Sequence, residues 1–73
     1  MNDDNEFSVI QIFADGSSER VRHDVSAEDA VKVAHQYCTN VAADCGITRR
    51  VIITDGGDCT NFEWQFGKGI TFK

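Results

Sequence analysis

Between Ser26 and Gly46 the chain reads "SAEDAVKVAHQYCTNVAADCG", and this is its one stretch with helical periodicity. At 100° per residue Ala30, Val31, Ala34, Cys38, Val41, Ala42 and Cys45 fall on one side, with Val33 and Tyr37 on the flank. Lys32, His35, Gln36 and Thr39 lie opposite. Ser26 stands three residues before Asp29, with Glu28 also in the first turn, so a hydroxyl can cap the free backbone N–H groups while the acids suit the positive end of the helix dipole. Gly46 offers the left-handed residue that closes a helix. The pattern predicts one helix from about residue 27 to about residue 45.

A single helix covers only one face of a sheet, and short β-branched or aromatic runs stand on both sides of it. "FSVIQIFA" and "ERVRHDV" flank the turn Asp15-Gly16-Ser17-Ser18 and predict a hairpin. "RRVIITD" is too brief for a second helix and reads as a third strand. In "NFEWQF", Phe62, Trp64 and Phe66 alternate with Asn61, Glu63 and Gln65, the period of a strand with one buried face. Gly67-Lys68-Gly69 then turns the chain into "ITFK", a short last strand. The expected fold is α+β: a single ββαββ domain over residues 7–73, with an antiparallel sheet of four to five strands and one long helix on one face. Residues 1–6, "MNDDNE", are expected to form a disordered acidic tail. A chain of this size buries only about 60% of its unfolded surface, which argues against a deep cleft.

Apolar side chains outnumber what one helix can cover. Ile10 and Ile12 point opposite to Val9 and Phe13, and Val51 and Ile53 oppose Ile52. A homodimer or a partner surface is the expected cover, through an apolar interface formed by Val9, Phe13 and Ile52.

Twelve acidic against seven basic residues give a net charge of -5, which disfavours nucleic acid and anionic lipid as direct partners and favours a basic protein surface. No apolar run approaches the roughly 18 residues of a membrane span, and the acidic N-terminus is unlike a signal peptide, so a cytoplasmic location is expected. Three cysteines at 38, 45 and 59 fit neither a disulfide framework nor a short zinc spacing and read as reduced thiols, Cys38 and Cys45 in the core and Cys59 accessible. Asp55-Gly56-Gly57-Asp58 lacks the spaced acids of a calcium loop and reads as a tight turn. The aromatics of "NFEWQF" lack the interleaved cations of a base-stacking platform and read as core. His23 and His35 read as surface residues, and Arg49-Arg50 as a complement to the C-terminal end of the helix. No catalytic, cofactor or metal site is expected.

The segment "VIITDGGDCTNFEWQFGKGITF", with the helix before it, resembles small proteins encoded by phages and proteobacterial prophages. In size, acidity and strand–helix–strand layout the chain is also similar to the anti-CRISPR class of phage inhibitors, which implies binding to a CRISPR effector complex and obstruction of DNA access in the host bacterial cytoplasm. That class has no shared motif from which residue roles can be transferred. The acids of turns and strand edges, Asp15, Glu19, Asp24, Asp55, Asp58 and Glu63, are the candidate partner-binding residues, since carboxylates on a small domain can occupy a basic groove in place of phosphates. The reading is of a non-enzymatic inhibitor, and its alternative is a homo-oligomeric structural or regulatory module pairing through the open sheet face.

Overall fold

The computed structural model of the chain describes residues 6–57 and 59–72. The acids of the expected tail other than Glu6, and Asp58 of the turn, lie outside the described residues. Five strands, β1 (Phe7–Phe13), β2 (Ser18–Val25), β3 (Thr48–Thr54), β4 (Thr60–Gln65) and β5 (Gly69–Phe72), form one antiparallel sheet in the order β2-β1-β3-β4-β5. Helices α1 (Ala27–Thr39) and α2 (Val41–Asp44) join β2 to β3. The predicted α+β layout holds, with the fifth strand present.

Register decides which side chains meet the helix. Val9 pairs with Ile53 and Gln11 with Val51, and these point towards α1; Ile10 pairs with Ile52 and Ile12 with Arg50, and these point away. Val9, Val51, Ile53, Ala30 and Ala34 make the core, all at most 3% exposed. Two alanines on the buried side of α1 let its backbone approach the sheet closely, and the larger Phe7, Val21, Val25, Val33 and Tyr37 close the margins. Val9 is therefore sealed under the helix and cannot join an apolar interface on the open face with Ile52, as the strand pattern alone suggested. The uncovered face carries Ile10, Ile12 and Ile52, each half-buried by its neighbours.

The expected single helix is two. Ser26 caps α1 as predicted, its side chain accepting from the Asp29 N–H at 3.2 Å. At the other end Thr39 Oγ1 donates to the His35 carbonyl, and Asn40 adopts an extended backbone, ψ 178°, with its side chain accepting from the Ala43 N–H at 2.9 Å. Asn40 thus ends α1 and caps α2, because a short amide competes with the helix ladder for backbone groups. The break rotates the remainder of the stripe. Val41 is 76% exposed and Cys45 is exposed, while Ala43 takes the buried position. Val31, assigned to the stripe, is also exposed, since the buried side of α1 is centred on Ala30 and Ala34.

Gly46 closes α2 as expected, at φ +81°. Its N–H donates to the Ala43 carbonyl and that of Ile47 to the Ala42 carbonyl, the paired bonds of a Schellman motif. The Phe66 ring lies against Gly46, and the Arg49 guanidinium stacks over that ring at 5.2 Å. Arg50 instead pairs with Glu63 at 2.8 Å. Arg50 is thereby engaged with Glu63 and not with the helix end that the sequence assigned to the pair.

Candidate interaction surfaces

The candidate acids sit at three kinds of place. Asp15 holds the β1–β2 turn, its Oδ1 accepting from the Ser17 N–H at 2.9 Å and from the Ser17 hydroxyl at 2.6 Å. Asp55 holds the β3–β4 turn by accepting from the N–H groups of Gly57 and Cys59 at 2.9 and 3.1 Å. The turn reading of Asp55-Gly56-Gly57 is thereby given its bonds. Both carboxyls titrate below the ordinary carboxylate range: the Ser17 hydroxyl and N–H favour the charged form of Asp15, and the Cys59 and Gly57 N–H groups that of Asp55.

Because β1 and β3 are antiparallel, these two turns stand at opposite ends of the sheet, about 20 Å apart for strands of this length. Asp24 shares the Asp55 end. It occupies a bulge in β2 at φ +57° and bonds His23 Nδ1 at 3.0 Å, both side chains well exposed. Glu6 lies over Gly56 at the same end.

Glu19 and Glu63 are engaged elsewhere. Glu19 accepts from Gln11 Nε2 at 2.9 Å, and Gln11 Oε1 accepts from the buried Thr48 hydroxyl, so a polar chain runs from the core to the β2 edge. Glu63 is on the open face, accepts from both Arg50 and Gln65 at 2.8 Å, and keeps only 16% of its side chain exposed. It is a neutralised acid, and the pairing could be anticipated from the sequence only by knowing that β3 and β4 are neighbours.

The second surface escaped the sequence reading. α1 lies over β1 and β3 and reaches β2, so the helix-facing side of β4 and β5 is covered only in part. Phe62 and Trp64, assigned to the core, pack against its margin and also floor an apolar groove of about 590 Å³ whose walls are Val31, His35 and Cys38 on α1 and Ile70 on β5. Phe62 and Trp64 are half-buried, and Val31 and Ile70 are more than half exposed. The missing observation was the lateral position of the helix, which periodicity does not encode.

Of the thiols, Cys59 is exposed as expected, Cys45 is exposed against expectation, and Cys38 is half-buried at the groove wall. Burial pushes the Cys38 thiol up to about 11, which keeps it protonated and unreactive. Among the described residues no His, Cys, Asp and Glu side chains gather as a metal site, and no helix is long and apolar enough to cross a membrane. Comparison with protein-family models, with curated proteins and with solved structures finds no match to this chain.

Proposed function

We propose that this protein is a non-enzymatic, phage-type inhibitor that binds a basic surface of a host nucleic-acid-handling complex in the bacterial cytoplasm, a CRISPR surveillance complex being the target class, and obstructs DNA access by charge and bulk. The observation that carries this reading is the pair of fixed turn carboxylates, Asp15 exposed and Asp55 partly exposed, held ionised and about 20 Å apart, in a chain of net charge -5. Over that length one strand of duplex DNA presents about six phosphates. Asp24 and Glu6 add charge at the Asp55 end, whereas Glu63 contributes little because Arg50 already answers it.

The test is displacement of a target duplex from a purified CRISPR surveillance complex. Asp15→Asn and Asp55→Asn preserve the turn acceptors while removing charge, so the double variant stays folded and competes about tenfold less well, about 1.4 kcal/mol of binding. Competition also weakens as salt rises from about 50 to about 500 mM and the Debye length falls from roughly 14 to roughly 4 Å. Failure to displace DNA, or displacement indifferent to both changes, overturns the reading.

One observation favours a second reading, a homo-oligomer paired through the open sheet face. Ile10 and Ile52 are direct partners there, Ile12 stands beside them, and Phe72 on β5 is half exposed on the same side. Sedimentation of the parent and of Ile52→Lys decides it: a dimer dispersed by the substitution supports pairing, and a monomer at all concentrations removes it.

A further inference from the structure

Aspartate followed by glycine occurs at Asp15-Gly16 and at Asp55-Gly56, and asparagine followed by glycine does not occur. In such a pair the glycine nitrogen can bond to the aspartate Cγ and close a succinimide ring, because no side chain on the glycine hinders the approach. Both turns favour the encounter. In each, Oδ1 of the aspartate accepts from the N–H two residues on, Ser17 in one and Gly57 in the other, and the loop that this bond closes runs through the intervening glycine nitrogen. Cγ is thereby held over that nitrogen.

The two pairs differ at the nitrogen itself. The Gly16 N–H is committed to the Phe13 carbonyl at 3.0 Å, and nothing stands within 4 Å of the position that a Gly16 side chain would take. Its proton is occupied, and no outside group is there to remove it. The Gly56 N–H makes no hydrogen bond among the described residues. Glu6 Oε1 lies 3.1 Å from where a Gly56 Cβ would stand, two bonds from the Gly56 nitrogen, so a carboxylate from the start of the chain sits beside the reacting pair.

We propose that Asp55-Gly56 is a self-modification site, at which Glu6 takes the amide proton of Gly56 and the turn converts Asp55 to isoaspartate. The bond from Gly56 N to Asp55 Cγ forms and a Cγ–O bond breaks. The departing oxygen leaves as water, carrying the amide proton passed on by Glu6 and one proton from solvent. Water then opens the ring, and opening at the former main-chain carbonyl routes the chain through the side-chain carbon and leaves the carboxylate on Cα. One water leaves and one enters, so water is the only co-reactant. Because the Gly57 and Cys59 N–H groups favour the ionised carboxylate, which parts with oxygen reluctantly, the conversion is slow ageing. Its product lacks the geometry of those two bonds, so the β3–β4 turn loosens and one fixed charge is displaced.

The folded protein is incubated near neutral pH and mapped by mass spectrometry with fragmentation that distinguishes isoaspartate from aspartate. Isoaspartate is expected at residue 55 about tenfold ahead of residue 15, the scale of a single positioned base. In denaturant the two sites react alike. Glu6→Gln, whose melting is checked separately, slows residue 55 by about the same factor and leaves residue 15 unmoved, which a merely looser turn would not do. Asp55→Asn closes the same ring with loss of ammonia in place of water, and its deamidation slows likewise when Glu6→Gln is added. Equal conversion at the two sites in the folded protein, faster conversion at residue 15, no conversion at either, or indifference to Glu6→Gln overturns the proposal. Ring closure needs no partner, so it is measured independently of DNA displacement and the two readings can fail separately.

Discussion

Asp15 and Asp55 each fix a turn with one carboxylate, and both pKa values fall in the folded chain because the bonds are made to the charged form. A lowered folded value means that the stabilisation is fully present above the ordinary value of 3.8 and is lost as pH falls below it through the folded values. Carboxyl-carbon NMR titration is expected to show these two groups protonating at lower pH than ordinary exposed aspartates. Denaturant midpoints at pH 5 and pH 3 are expected to differ less in Asp55→Asn than in the parent. The thiols separate on the same scale: Cys45 and Cys59 react with a thiol reagent in the folded protein near neutral pH, while Cys38, half-buried and shifted to about 11, reacts only as the protein unfolds. Mass spectrometry after timed labelling reads all three.

The element that most shapes the surface is the broken helix. Had residues 27–45 formed one rod, Val41 and Cys45 would have extended the buried stripe; with Asn40 extended, α2 turns its own Ala43 inward. Asn40→Ala removes the α2 cap and is expected to cost about 0.5–2 kcal/mol. Gly46→Ala places a side chain at φ +81° with its Cβ 3.2 Å from the Phe66 ring. The left-handed backbone alone is expected to cost about 1–3 kcal/mol, with displacement of Phe66 added to it. Both follow from chemical denaturation, and loss of the Arg49–Phe66 stack in Gly46→Ala appears as a change in the Phe66 ring resonances.

For the whole molecule, a small core means that single buried contacts matter. A chain of this length has a total stability of roughly 4–11 kcal/mol, and Ile53→Ala, at a residue 3% exposed, is expected to remove about 2–5 kcal/mol of it. Ile52→Ala, one residue away on the open face and half-buried, is expected to cost less than half as much. Thermal melts of the two variants test whether the sheet has one buried side. Its two edges differ as well. β2 carries Glu19, Arg20, Arg22, His23 and Asp24 and two register shifts, features that discourage strand addition. β5 carries no charge between Gly69 and Phe72.

The order of elements was legible in residues whose meaning is local. Ser26 and Gly46 marked helix boundaries, Asp15-Gly16 and Asp55-Gly56-Gly57 marked turns, and the alternation of Phe62 and Trp64 marked β4, because caps, positive φ and a two-residue period depend on neighbours in the chain. Asn40 was also a local signal, a side chain suited to capping, but the apolar stripe running through it masked the break. The remaining features depend on distance through space. Strand order put Arg50 opposite Gln65 and beside Glu63, and so neutralised one of the candidate acids. Antiparallel register sent the Asp15 and Asp55 turns to opposite ends. The lateral placement of α1, set by Ala30 and Ala34 seating against Val9, Val51 and Ile53, sealed Val9 and left Trp64 at the floor of a groove. A sequence period states that a residue has an apolar side; only the packed arrangement of helix and sheet determines whether anything covers it.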